Sequence, residues 1–95
     1  MDLRANARDK PCMLRIPGVC NGDKRTVVLC HIKRGWTGSS KPPDICAVWG
    51  CCDCHDAIDG RRQFDGYTRE QLNTFILTAL CQQLALYAYD GVLKW

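Results

Sequence analysis

"WGCCDCHDAID", residues 49–59, sets three of the chain's eight cysteines and one of its two histidines within eleven positions, with three aspartates among them. So dense a run of metal-capable side chains governs how the rest of the sequence is read. Cys51 and Cys54 form a C-x2-C knuckle, and about thirty residues upstream Cys12 and Cys20 form a looser C-x7-C pair. Four thiolates satisfy the tetrahedral preference of structural zinc, and two short-range pairs close the site at little cost in loop entropy. The knuckle is the more specific half, since Cys30, Cys46, Cys52 and Cys81 compete for the other positions. As spare thiols these four read as small buried apolar groups, Cys46 and Cys81 above all.

His55 follows the knuckle and precedes Asp59 by four residues, so on a helix both side chains point the same way, one turn apart. Such a pair can grip a divalent ion while leaving coordination positions open, as a catalytic metal requires. His31 lies on a separate segment and is free to act as a base on water, because the ordinary histidine pKa lies near neutrality.

Working outward, the 95 residues make one domain with a modest core, in which a metal staple matters for folding. "MDLRANARDKP" (1–11) is charged, without the apolar core of a signal peptide, and is expected to be loosely ordered. The thiols are therefore expected to stay reduced, as in the cytoplasm. "CMLRIPGVC" (12–20) encloses a Pro17-Gly18 turn signal that would bring Cys12 and Cys20 onto one ion. "TVVLCHI" (26–32) predicts a strand with His31 near its end, "RGWTGSSKPPD" (34–44) a loop, and "ICAVW" (45–49) a second strand-length run. A short helix is expected from Cys51 to about Arg62. The class is α+β.

The clearest element begins at Thr68, which with Gln71 matches a capping box. Leu72, Phe75, Ile76, Ala79, Leu80, Leu84 and Tyr87 then recur at spacings of three and four, predicting an amphipathic helix over 68–90 that stops at Asp90-Gly91. Leu77, Cys81 and Ala88 widen its apolar surface, which suits either deep burial or a homodimer face. Gln82 and Gln83 interrupt the apolar stretch 75–89, leaving it too short and polar for a membrane span.

The net charge is +3, unevenly spread. Residues 24–43 carry Lys24, Arg25, Lys33, Arg34 and Lys41 with no acid, whereas 44–59 carry four aspartates and no Lys or Arg. A basic segment beside an acidic, Cys/His-rich one suits a polyanion held next to a metal; charge alone fits solvated surface as well. Trp36, in the basic loop, could stack on a base or cover the core.

The order of parts (Cys pair, strand ending in His, glycine-bearing loop, K-x-x-D, apolar run, C-x2-C-H) resembles the HNH, or ββα-metal, endonucleases from Cys12 to about Arg62. "LCHI", "KPPD" and "CCDCHDAIDGR" are similar to the small prophage-encoded nucleases of the YbcO type over the whole chain. The resemblance implies a zinc-stapled ββα-metal core over 12–62, followed by the long helix. It puts His31 in the general-base position, Asp44 in the region of the residue that orients the base, and His55 and Asp59 at the catalytic metal. Cys12, Cys20, Cys51 and Cys54 would be the zinc staple. The implied activity is hydrolysis of DNA phosphodiester bonds with Mg2+, Mn2+ or Ni2+, with Lys33, Arg34, Arg61 and Arg62 on the phosphates of a duplex.

Two positions depart from the pattern. Cys30 precedes the base where such nucleases often carry an acidic or histidine ligand, and a thiol favours softer ions than magnesium. Their central Asn is absent. Read without the resemblance, the residues also fit a non-catalytic zinc-stapled module that binds nucleic acid or protein. A thiol oxidoreductase fits less well, and a disulfide-rich secreted domain least.

Overall fold

The computed structural model describes residues 2–32, 42–59 and 66–92. Its elements are α1 (Leu3–Asn6), a single 3-10 turn (Lys24–Thr26), β1 (Val28–His31), β2 (Ala47–Gly50), α2 (Cys52–Asp59) and α3 (Arg69–Tyr89). The class is α+β: a two-stranded antiparallel sheet with helices packed around it. The register pairs Val28 with Gly50, Leu29 with Trp49, Cys30 with Val48 and His31 with Ala47. β1 falls within the apolar run read from the sequence, β2 runs one residue past its run to Gly50, and α2 begins one residue later than expected.

β2 is the centre of the molecule. All four of its residues are buried, which suits an apolar run covered on both faces. The edge that β2 turns away from β1 is closed by side chain and loop rather than by a third strand. The Gln83 amide donates to Ala47 O at 2.9 Å and accepts from Trp49 N–H at 2.6 Å, and Trp49 O accepts from Met13 N–H at 2.7 Å. Every outward backbone group so paired would otherwise be a buried orphan. Trp49 packs edge-on against Tyr87, ring centroids 5.4 Å apart. Gly50 is needed because a Cβ there would lie 2.7 Å from Leu14 Cδ1 and 2.9 Å from Cys30 Sγ.

α3 shows why its sequence signals are strong. Thr68 Oγ1 accepts from Gln71 N–H at 3.2 Å while Gln71 Oε1 accepts from Thr68 N–H at 2.9 Å, completing the capping box. At the other end Gly91 takes φ 79°, Val92 N–H reaches Tyr87 O at 2.8 Å and Gly91 N–H reaches Ala88 O at 3.2 Å, the bonding pattern of a Schellman motif. The buried seam is Leu72, Ile76, Ala79, Gln83 and Tyr87, with Phe75, Leu80 and Leu84 half-buried beside it. Leu77, Leu86 and Tyr89 are exposed, so the helix is not buried on all sides. Among the described residues, no helix is long and apolar enough to cross a membrane.

Within the segment 1–11, which the sequence reading expected to be loosely ordered, the structure places the short helix α1. Asp2 caps α1 by accepting from Arg4 N–H at 3.0 Å and Ala5 N–H at 3.3 Å, and Ala7 is 1% exposed in the core. A four-residue helix has no apolar periodicity to display, and isolated it would not persist; tertiary packing holds it.

Candidate metal centre and active site

The two cysteine pairs meet. Pro17-Gly18, with Gly18 at φ 79°, reverses the chain so that Val19 and Cys20 N–H both bond Ile16 O, bringing Cys20 back beside Cys12. The Sγ atoms of Cys12, Cys20, Cys51 and Cys54 lie within 4.8 Å of one another, and those of Cys20 and Cys51 are 3.9 Å apart. A tetrahedron with Zn–S bonds of about 2.3 Å has edges of about 3.8 Å, so the cluster could hold a metal such as zinc.

Backbone amides surround these sulfurs. Arg15 N–H at 3.5 Å and Cys51 N–H at 3.3 Å both point at Cys12 Sγ, and Cys54 N–H points at Cys51 Sγ at 3.4 Å. Arg15 adopts φ 44°, a left-handed turn that aims its amide at the sulfur. The thiols also bias one another. The bond from Cys54 holds Cys12 well below the usual thiol range, helped by those amides, while the same bond and burial push Cys54 up. Cys20 is raised, first by burial. Four sulfurs this close cannot all ionise without a cation to offset their repulsion.

Asn21, which the sequence reading passed over, links this centre to α2. Its Nδ2 donates to Asp53 Oδ2 at 3.1 Å, Thr26 Oγ1 at 3.3 Å and Cys52 Sγ at 3.4 Å, while its Oδ1 accepts from Asp23 N–H at 2.8 Å. The N-G-D triplet that makes this Asx-type turn was its available signal. At the far end of α2, Arg69 Nη1 donates to Ile58 O at 3.1 Å, fixing that helix against the start of α3.

The second cluster stands on the last residue of β1. His31 is 8% exposed, and its Nε2 lies 2.7 Å from Oδ1 of Asp44, in the turn before β2. Arg4 Nε of α1 lies 3.7 Å from the same oxygen. On α2, His55 Nε2 and Asp59 Oδ2 are 3.1 Å apart, with the His55 side chain 21% exposed and that of Asp59 7%. The spacing of four residues thus yields the facing pair expected. A separation of 3.1 Å matches neighbouring ligands of an octahedral ion with bonds of about 2.1 Å.

Cys30 takes the interior position expected of a spare thiol. Its side chain is fully buried and directed at Val28 O and Gly50 O at 3.6 and 3.7 Å, and burial raises its pKa, with the Asp59 charge the next cause. It is a neutral interior thiol, not a soft ligand in an open site. Cys81 and Cys52 are exposed rather than buried, and Cys46 is half-buried, lining an apolar groove with Ile32, Ile45, Leu80 and Leu84. Lys33, Arg34, Trp36, Arg61 and Arg62 lie outside the described residues.

A family model described as "Putative nuclease YbcO" matches residues 1–89. Proteins described as "Putative nuclease YbcO", from Escherichia coli (strain K12), and "Putative nuclease ybcO", from Enterobacteria phage 82, are each 42% identical over 97 residues, covering 98% of this chain and 97% of the relative. A solved structure, "Structure of a putative bacteriophage protein from Escherichia coli str. K-12 substr. MG1655", superposes with a TM-score of 0.79 at 36% identity, covering 95% of this chain and all of the other.

Proposed function

The chain belongs to the "Putative nuclease YbcO" family, and from that premise we propose that it is a metal-dependent endonuclease of the HNH, ββα-metal type that hydrolyses phosphodiester bonds of double-stranded DNA. The observation that carries this reading is the His31–Asp44 contact of 2.7 Å at the end of β1, in a chain whose next elements are β2 and a helix bearing the His55–Asp59 pair.

With Nε2–H donated to the Asp44 carboxylate, the imidazole is fixed in the tautomer whose Nδ1 lone pair is open. Nδ1 takes a proton from water as the water oxygen bonds to phosphorus and the P–O3′ bond breaks, leaving a 5′ phosphate and a 3′ oxyanion that takes its proton from solvent water. Asp44 steadies the imidazolium that forms. His55 and Asp59 would hold a divalent ion such as Mg2+, Mn2+ or Ni2+, which would supply positive charge to the departing 3′ oxygen.

In this reading Cys12, Cys20, Cys51 and Cys54 bind a structural Zn2+ that anchors α2, and Lys33, Arg34, Arg61 and Arg62 contact phosphates. The thiols stay reduced because the enzyme works in the cytoplasm. Two copies pair through α3, whose run from Gln71 to Tyr89 has no charged residue and leaves Leu77, Leu86 and Tyr89 exposed. Sedimentation as a monomer at the concentrations used for cleavage would remove that part.

Zinc-loaded protein should nick supercoiled plasmid when one of these ions is added and stop when it is chelated. Binding of DNA without cleavage under any ion would favour the non-catalytic module instead.

A further inference from the structure

Asp44 creates an electrostatic problem for a base that must work on a phosphodiester. Its carboxylate is 40% exposed at the side chain and stands 2.7 Å from His31 Nε2, so a phosphate brought up to this imidazole approaches a like charge. A cation close to that oxygen would help to offset it. Among the described residues, the structure supplies one from α1, the element that sequence reasoning left without structure. Arg4 Nε lies 3.7 Å from Asp44 Oδ1, and the Arg4 side chain is 56% exposed.

The contact itself is too long for a hydrogen bond, and an exposed pair at this distance contributes little to stability. What it does is locate the guanidinium. Backbone bonds to the Asp2 carboxylate and the buried Ala7 fix α1 on either side of Arg4. Among the described residues no hydrogen bond engages its Nη1 or Nη2. A guanidinium placed there, with neither Nη in such a hydrogen bond, has the geometry to pair with two oxygens of a phosphate.

We propose that Arg4 is a substrate-binding residue that grips the non-bridging oxygens of the phosphodiester attacked at His31, while offsetting the Asp44 charge. This rests on the nuclease reading above, but its binding component can be tested without cleavage.

The experiment measures affinity for a short DNA duplex across a range of KCl concentrations in the His31→Ala background, with Arg4 retained or changed to Ala or Lys. Loss of one phosphate contact should lower the slope of log affinity against log salt by about 0.9, and Lys, which keeps the charge, should restore it. In the His31 protein, Arg4→Ala should lower the single-turnover rate at saturating DNA by about tenfold or more, and Lys should restore it only in part because it lacks the fork. An unchanged salt slope in Arg4→Ala would overturn the proposal, even if the pH profile of cleavage moved, since that pattern belongs to a residue that only neutralises Asp44. Wild-type protein that cleaves nothing would sink the nuclease reading and the role in attack, while the salt slope would still decide whether Arg4 touches phosphate.

Discussion

Nε2 of His31 lies 2.7 Å from Oδ1 of Asp44, thirteen residues on, and the two meet at the end of the sheet where His31 pairs with Ala47. In the proposed mechanism this contact gives Asp44 a specific role, which is to fix which imidazole nitrogen takes the proton from water. Asp44→Asn keeps the size but can accept only through its amide oxygen and loses the charge that favours the imidazolium. Its cleavage rate should fall by about tenfold to a thousandfold, less than on loss of His31 itself. Rates measured against pH on folded protein check this, and wild-type cleavage by the variant would remove Asp44 from the site.

Gln83 is the polar residue of the buried α3 seam, and both ends of its amide bond β2. Gln83→Leu should leave Trp49 N–H and Ala47 C=O buried without partners and cost about 2–4 kcal/mol. Urea unfolding of the metal-loaded protein measures this; a loss below 1 kcal/mol would mean that water or a shifted strand replaces the amide.

The four-thiol cluster ties the Cys12–Cys20 turn to the start of α2. Cys54→Ser should lose zinc and the cooperative melting transition together, and a chelator should do the same to the wild type, because binding of a structural metal is linked to folding. Metal analysis beside circular dichroism separates the outcomes. A variant that keeps both zinc and melting temperature would show that Cys54 is no ligand.

Gly50 faces Leu14 and Cys30 at distances no Cβ tolerates. Gly50→Ala should destabilise by about 1–3 kcal/mol through overpacking. The cost should shrink in a Leu14→Val background, where the methyl that lies closest is withdrawn. Equal costs in both backgrounds would place the strain elsewhere.

Much of this arrangement was legible in local sequence. The knuckle spacing, the Pro17-Gly18 reversal, the Thr68/Gln71 box and the Asp90-Gly91 stop each depend on residues a few positions apart, where local chemistry decides the geometry. What escaped depends on partners far along the chain. Gln83 reads as an interruption of an apolar helix until β2's unpaired edge is beside it. Arg4 is one charge among several near the N-terminus until a contact forty residues away puts it next to Asp44. Cys81 fits the apolar pattern of α3, yet the seam rotates toward Ala79 and Gln83 and leaves it outside. Cys30, which departs from the resembled pattern, is buried against Gly50 O as a spare thiol was expected to be.

The most direct test of the central claim is single-turnover nicking of supercoiled plasmid by the His31→Ala protein, with zinc content and melting temperature measured on the same sample. The expected result is a rate at least about a hundredfold lower, with zinc and fold unchanged. Cleavage at the wild-type rate by a folded, zinc-loaded His31→Ala protein would contradict the assignment of His31 as the base.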